Sequence, residues 1–123
     1  MKILKEKRKF LVGKKNDITL TQAGSIKLRH DENISIFFDE FVNYDITKKE
    51  WGFYCLPSIN KRLKKFNLKV ALTQNMRLNT YFLMLVVNKK KLIKKFEDYC
   101  DKENLQIIVW LDLKNLKKIK KIF

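Results

Sequence analysis

The stretch Ile34 to Tyr44, ISIFFDEFVNY, decides how this chain is read. Alternation at period two sets Ile34, Ile36, Phe38, Val42 and Tyr44 on one side, with Glu40 among them. Ser35, Phe37, Asp39, Phe41 and Asn43 fall on the other. Aromatic residues on both sides suit a strand covered on both faces, so the segment is predicted as one long central strand.

Downstream of it, Pro57 suits a first helical turn. SINKRLKKF then puts Ile59, Leu63 and Phe66 on one stripe and Lys61, Lys64 and Lys65 opposite, an amphipathic helix of about ten residues. Leu68 to Gln74 reads as a strand, Asn75 to Asn79 as a polar turn, and Tyr81 to Val87 as an apolar strand antiparallel to the first. Lys90 to Lys102 is a second helix, with Leu92, Ile93, Phe96, Tyr99 and Cys100 on its apolar side. Leu105 to Leu111 is a last strand, and Leu113 to Phe123 a closing basic helix. Upstream, alternating runs at Phe10 to Val12, Ile18 to Thr21 and Ile26 to Arg29 flank the turn-like Gln22 to Ser25, a hairpin signal.

From residue 34 the order is strand, helix, strand, strand, helix, strand. The expected fold is therefore α+β: a ferredoxin-like βαββαβ antiparallel sheet, with an N-terminal β-hairpin and a C-terminal basic helix. The expected organisation is a basic arm over 1–9, a single α+β domain over 10–112 and a basic amphipathic helix over 113–123. Within that domain, 10–33 is the hairpin addition and 34–112 the βαββαβ unit.

Composition bounds the function. A chain of 123 residues with 46% apolar residues can bury roughly two-thirds of its unfolded surface without staples. Three Gly and one Pro exclude collagen-like and Gly-rich phosphate-loop classes, and two Cys with one His exclude a four-ligand zinc framework. The longest apolar run, Tyr81 to Val87, is far short of the ~20 residues of a membrane span. The charged first ten residues have no apolar stretch behind them, so no secretory signal and a cytoplasmic, reduced protein are expected.

The net charge is +15, from 28 Lys and Arg against 13 Asp and Glu. Lys, Asn and Ile are residues of AT-rich codons, so part of the Lys content reflects coding bias; the Glu content is low, however, which leaves part of the excess unexplained by it. Residues 1–15 carry +6, 16–50 carry −3, 51–78 carry +6 and 111–123 carry +4. Such a field attracts phosphate polymers, anionic lipid or an acidic protein surface without choosing among them.

The basic cluster Lys61, Arg62, Lys64 and Lys65 fits contact with several phosphates, although a solvated helix face in a Lys-rich chain gives the same pattern. Lys89, Lys90 and Lys91 crowd a helix N-terminus, where cations are mildly unfavourable. If Ile36 and Phe38 face the helices, Phe37 and Phe41 face outward, and from the strand 81–87 either Tyr81, Leu83 and Leu85 or Phe82, Met84 and Val86 join them, with Phe82 as the stacking candidate. That arrangement resembles, in architecture only, the RNA-recognition motif, whose central-strand aromatics stack unpaired bases. The motif's signature of a basic residue, Gly and alternating aromatics is absent from Tyr81-Phe82-Leu83-Met84. The more economical reading lays Ile18, Leu20, Ile26 and Leu28 of the hairpin over these aromatics as a second core.

The leading expectation is a small non-enzymatic nucleic-acid-binding module, with Lys61, Arg62, Lys64 and Lys65 on phosphates and Phe37, Phe41 and Phe82 stacking bases. The alternative is a protein-binding adaptor or neutralising partner of an acidic protein, through Trp51, Phe53 and Tyr54 and through Lys114, Lys117, Lys118 and Lys121 of the tail. For Trp51 to Tyr54 the simpler reading is a staple onto the core ahead of the helix. Peripheral membrane contact through the tail, striped by Leu113, Leu116, Ile119 and Phe123, is a third reading. No catalytic residue, metal or cofactor is expected: Asp39 and Glu40 point to opposite faces of a strand, and Cys55 has no base near it in sequence.

Overall fold

A computed structural model describes residues 1–5 and 8–123; Glu6 and Lys7 of the expected basic arm lie outside the described residues. Two compact units are distinguished: residues 1–35 with 45–55, and residues 36–44 with 56–123.

The ferredoxin-like four-stranded sheet is not formed. Strands β5 (Asn33–Phe37) and β6 (Asn43–Lys49) are two arms of a hairpin whose reversal falls inside the stretch expected as one strand, and β7 (Gly52–Tyr54) extends them into a sheet of order β5-β6-β7. The cause is local. The Asp39 carboxylate accepts hydrogen bonds from the amides of Phe41 (2.8 Å) and Val42 (2.7 Å), and the Phe38 amide donates to the Val42 carbonyl (2.8 Å). An aspartate that binds its own backbone two and three residues on makes a turn, and here it outcompetes the extended ladder. The strand expected at the centre of the sheet thus pairs with its own continuation, and β8 (Leu68–Asn75) has only β9 (Thr80–Val87) and β10 (Leu105–Trp110) as neighbours.

The N-terminal pairing also differs from expectation. Strand β3 (Ile18–Gln22) pairs with β2 (Arg8–Val12) across a turn in which Gly13 (φ 96°) and Asn16 (φ 51°) are left-handed. Strand β4 (Ser25–Lys27) pairs instead with β1 (Lys2–Leu4), in the register Lys2 with Lys27. Gly24 explains the switch: a Cβ there would stand 2.2 Å from the Leu4 carbonyl oxygen, so the glycine marks a close approach of two backbones rather than a hairpin turn. Leu20 and Ile26, expected to cover an aromatic face, are exposed.

The second unit is built on the sheet β10-β8-β9. Every residue of β8 is in register with β9, from Leu68 opposite Val87 to Asn75 opposite Thr80. Period two then places Leu68, Val70 and Leu72 with Leu83, Leu85 and Val87 on one face, and Ala71 and Thr73 with Phe82, Met84 and Val86 on the other. The second face takes helix α2 (Lys90–Glu103), whose Phe96 meets Trp110 edge-on at 5.9 Å and whose Cys100 is buried. The first face takes Leu63, fully buried, and Val42 of the hairpin tip, together with Leu68, Val70 and Val87.

Leu63 belongs to helix α1 (Arg62–Lys65), four residues long where about ten are expected. Ser58 explains the late start: its hydroxyl accepts the Arg62 amide (3.0 Å), so residues after Pro57 form a turn rather than helix. Asn67 (φ 62°) and Asn104 (φ 60°) end α1 and α2 in the left-handed conformation, and Asn79 (φ 56°) does the same in the turn between β8 and β9. Helix α3 (Leu113–Ile122) is capped by Asp112, whose carboxylate accepts the Asn115 amide at 2.9 Å. Among the described residues no helix is long and apolar enough to cross a membrane.

Candidate nucleic-acid interface

The basic cluster sits where burial of one leucine fixes it. Because Leu63 is locked into the core, its neighbours Lys61, Arg62, Lys64 and Lys65 are forced outward, and all four are exposed. The Arg62 guanidinium lies over the Phe66 ring, 5.5 Å from its centre. Lys64 also lines a cleft with Ile59, Leu68, Lys69, Leu111 and the start of α3, so part of the cluster and the α3 N-terminus border the same space. Lys69 itself is held over the Trp110 ring at 4.1 Å.

The hairpin tip brings aromatics to the same sheet face. Its residues Ile36, Phe37, Phe38 and Val42 border a recess of about 230 Å³ with Leu68, Leu85 and Val87. Only Val42 is buried; Phe37, Phe38 and Phe41 stand out, Phe41 with 82% of its surface exposed. The Asp39 carboxylate is tied into the turn and keeps its negative charge beside Phe41. Hydrogen bonds from the Phe41 and Val42 amides hold its carboxyl below the usual aspartate range, and the charge of Lys89 adds to the effect.

Phe82 is not brought to this group. It lies on the α2 face of β9, opposite the face that receives the tip, and is 44% exposed. Tyr81 and Leu83 occupy the tip-side face of β9 instead, 59% and 62% exposed. The sequence leaves open whether Tyr81 and Leu83 or Phe82 join the outward aromatics, and sets Phe38 on the opposite side, because which residues share a face depends on which strands pair.

The remaining expected contacts lie on other elements. Trp51, Phe53 and Tyr54 belong to the first unit, where β7 pairs with β6 through Thr47 opposite Tyr54. All three are exposed, with Trp51 edge-on to Tyr54 at 5.4 Å, so the loop does not act as a staple onto a core. Lys114, Lys117, Lys118 and Lys121 are exposed on α3, while only Leu116 and Ile119 of its expected stripe are half-buried. Leu113, Ile122 and Phe123 remain exposed. Three acidic residues of the first unit are engaged. Asp31 pairs with Lys49, Glu32 with the N-terminal amine at 2.9 Å, and Asp45 accepts the Ser35 hydroxyl at 2.7 Å.

No known protein family, curated protein or solved structure matches this chain. What the surface offers is therefore argued from its own chemistry: exposed rings on a short tip, and a cluster of cations on a helix whose buried leucine shares a core with that tip. Rings of this kind stack planar groups, and the cations contact anions.

Proposed function

We propose that the second unit binds single-stranded nucleic acid. Phe41 and Phe37 stack on unpaired bases, and Lys61, Arg62, Lys64 and Lys65 contact phosphates. The observation that carries this reading is the placement of Phe41: a large aromatic side chain with no burial to perform, held out on a turn whose carboxylate is already satisfied. The charge of the unit supports it, since residues 36–44 and 56–123 hold 17 Lys and Arg against 7 Asp and Glu, a net of +10. Phe82 is left outside the primary contact surface by its position on the α2 face.

Fluorescence anisotropy with an oligouridylate of about a dozen nucleotides and a matching DNA duplex, each at two salt concentrations, tests the reading. Binding that weakens steeply with salt and prefers the single strand is expected. Phe41→Ala is expected to lower single-strand affinity roughly 5–150-fold, the worth of one stacked base, with little change for the duplex. Replacing Lys61, Arg62, Lys64 and Lys65 by Gln is expected to weaken both ligands and to flatten the salt slope by about 3. Equal affinity at low and high salt contradicts the proposal.

A further inference from the structure

Strand β9 has a property unusual in this chain. Residues 78–88, LNTYFLMLVVN, carry no charge, although 33% of the chain is charged. This neutral run lies on the edge of a sheet, since β9 has β8 as its one neighbour in the order β10-β8-β9. Soluble proteins protect sheet edges with a bulge, a proline, an inward charge or a short strand. The opposite edge does so: β10 has an irregularity between Ile107 and Val109. Strand β9 has none of these devices, pairing without a break over eight residues.

The free hydrogen-bonding groups can be assigned. The Phe82 carbonyl accepts the Thr73 hydroxyl at 3.2 Å, so it points toward β8. In an antiparallel ladder the N–H and C=O of one residue point to the same side, and successive residues alternate. Tyr81, Leu83 and Leu85 therefore direct their amides and carbonyls away from the sheet. Among the described residues no backbone bond reaches these three from outside the sheet. Cations flank the run at both ends. Arg77 precedes it and Lys89, Lys90 and Lys91 follow it, none of them in an ion pair with a carboxylate among the described residues.

We infer that the outer edge of β9 accepts an extended peptide segment of another protein, apolar in its middle and acidic at both ends, as an added antiparallel or parallel strand. Main-chain bonds to Tyr81, Leu83 and Leu85 hold the segment, and Arg77 and Lys89 to Lys91 select its acidic flanks. A second copy of the chain is the poorer occupant, because it brings another +15 of charge and sets like cations at the ends of the new ladder. The site adjoins the nucleic-acid surface proposed above, because Tyr81 and Leu83 also lie on the face that receives the hairpin tip, but it does not rest on that proposal.

The test is amide hydrogen exchange, read by NMR on the full chain, with a synthetic peptide of alternating Val and Thr flanked by two Glu at each end. A control peptide replaces each Glu by Lys. The Glu-flanked peptide is expected to slow exchange at the amides of Tyr81, Leu83 and Leu85 at least tenfold, leave Phe82 and Met84 unchanged, and lose this effect in high salt. The Lys-flanked peptide is expected to protect none of them. Leu83→Lys, a change at an exposed position, is expected to abolish protection while leaving the remaining amide spectrum in place. Protection by both peptides alike, or protection spread without alternation along β9, overturns the inference. A protein that is dimeric alone with these three amides already slow assigns the edge to a second copy instead and also overturns it. Protection of the same amides by the oligouridylate, without any by the peptide, overturns it in favour of nucleic acid.

Discussion

Replacing Leu63 by Ala tests the link between core and basic cluster. Leu63 is fully buried against Val42, Leu68, Val70 and Val87, in a helix of only four residues. A helix that short has no stability of its own, so docking of this side chain is what keeps α1 formed. Deleting three carbons at an enclosed site loses their transfer energy and leaves a cavity, together about 3 kcal/mol, within the 2–5 kcal/mol range of buried Leu to Ala changes. For a unit of this size that lowers the midpoint of thermal unfolding by roughly 12–24 °C. Urea unfolding followed by Trp110 fluorescence in a Trp51→Phe background reports on the second unit, because Trp110 lies against Phe96 in its sheet. The midpoint is expected to fall with the slope unchanged. Replacing Lys61, Lys64 and Lys65 by Gln while keeping Arg62 provides the contrast, since these side chains are exposed and each change is expected to stay within about 0.5 kcal/mol. A loss below about 1 kcal/mol for Leu63→Ala refutes the reasoning, because it means that the site is not enclosed or collapses without cost.

Three further expectations concern other parts of the chain. The Asp39 carboxyl is depressed in the fold, chiefly by the Phe41 and Val42 amides, so its contribution to the turn is present above the unfolded pKa and is lost as pH falls through the lower, folded one. The amide shifts of Phe41 and Val42 are expected to titrate with a midpoint below the ordinary aspartate value, and a midpoint at or above it contradicts the assigned bonds. Cys55 is exposed whereas Cys100 is buried with its thiol pushed up by desolvation, so a disulfide reagent is expected to modify one thiol rapidly and the second only on unfolding; two equal fast phases would be inconsistent with that. Gly24→Ala forces a Cβ into the Leu4 carbonyl and is expected to shift the amide signals of Lys2 to Leu4 and Ser25 to Lys27, so an unchanged spectrum there rules out the described β1–β4 pairing.

The second half of the chain was largely legible, for a physical reason. From Leu68 onward each element is long enough to display its period, and the expected strands and helices agree with β8, β9, α2, β10 and α3 to within a residue or two. The boundaries rest on signals that the residues themselves carry, such as Asp112 at the head of α3 and Asn104 at the foot of α2. The hairpin at Asp39 was not legible by periodicity. Residues 34–44 read as a strand covered on both faces with Glu40 as the exception, and the reversal comes from one carboxylate competing for two amides. The signal that could have found it is an Asp-Glu pair inside an otherwise apolar run, a turn composition rather than a strand one. Losing that strand removed the centre of the expected sheet and hence the fold class. The exposure of Lys61 to Lys65 could be read from the spacing around Leu63. The grouping of Phe37, Phe41 and Phe82 could not, because it assumed a pairing that the turn prevents.

The left-handed positions carry a consequence at the level of coding. Only Gly13 and Gly52 adopt positive φ among the glycines, while Asn16, Asp31, Asn67, Asn79 and Asn104 supply the rest. Asparagine and aspartate tolerate that conformation less easily than glycine but better than other residues, because their short polar side chains bond locally. A genome whose codons favour Lys, Ile and Asn and leave few glycines can thus still close its turns. The same drift that loads a surface with lysine provides the next-best residue for reversing the chain. Composition then acts as a shared constraint on charge and topology. At each of these turns an Asn to Gly exchange would relieve the left-handed strain but loosen the unfolded chain, so the two effects oppose each other.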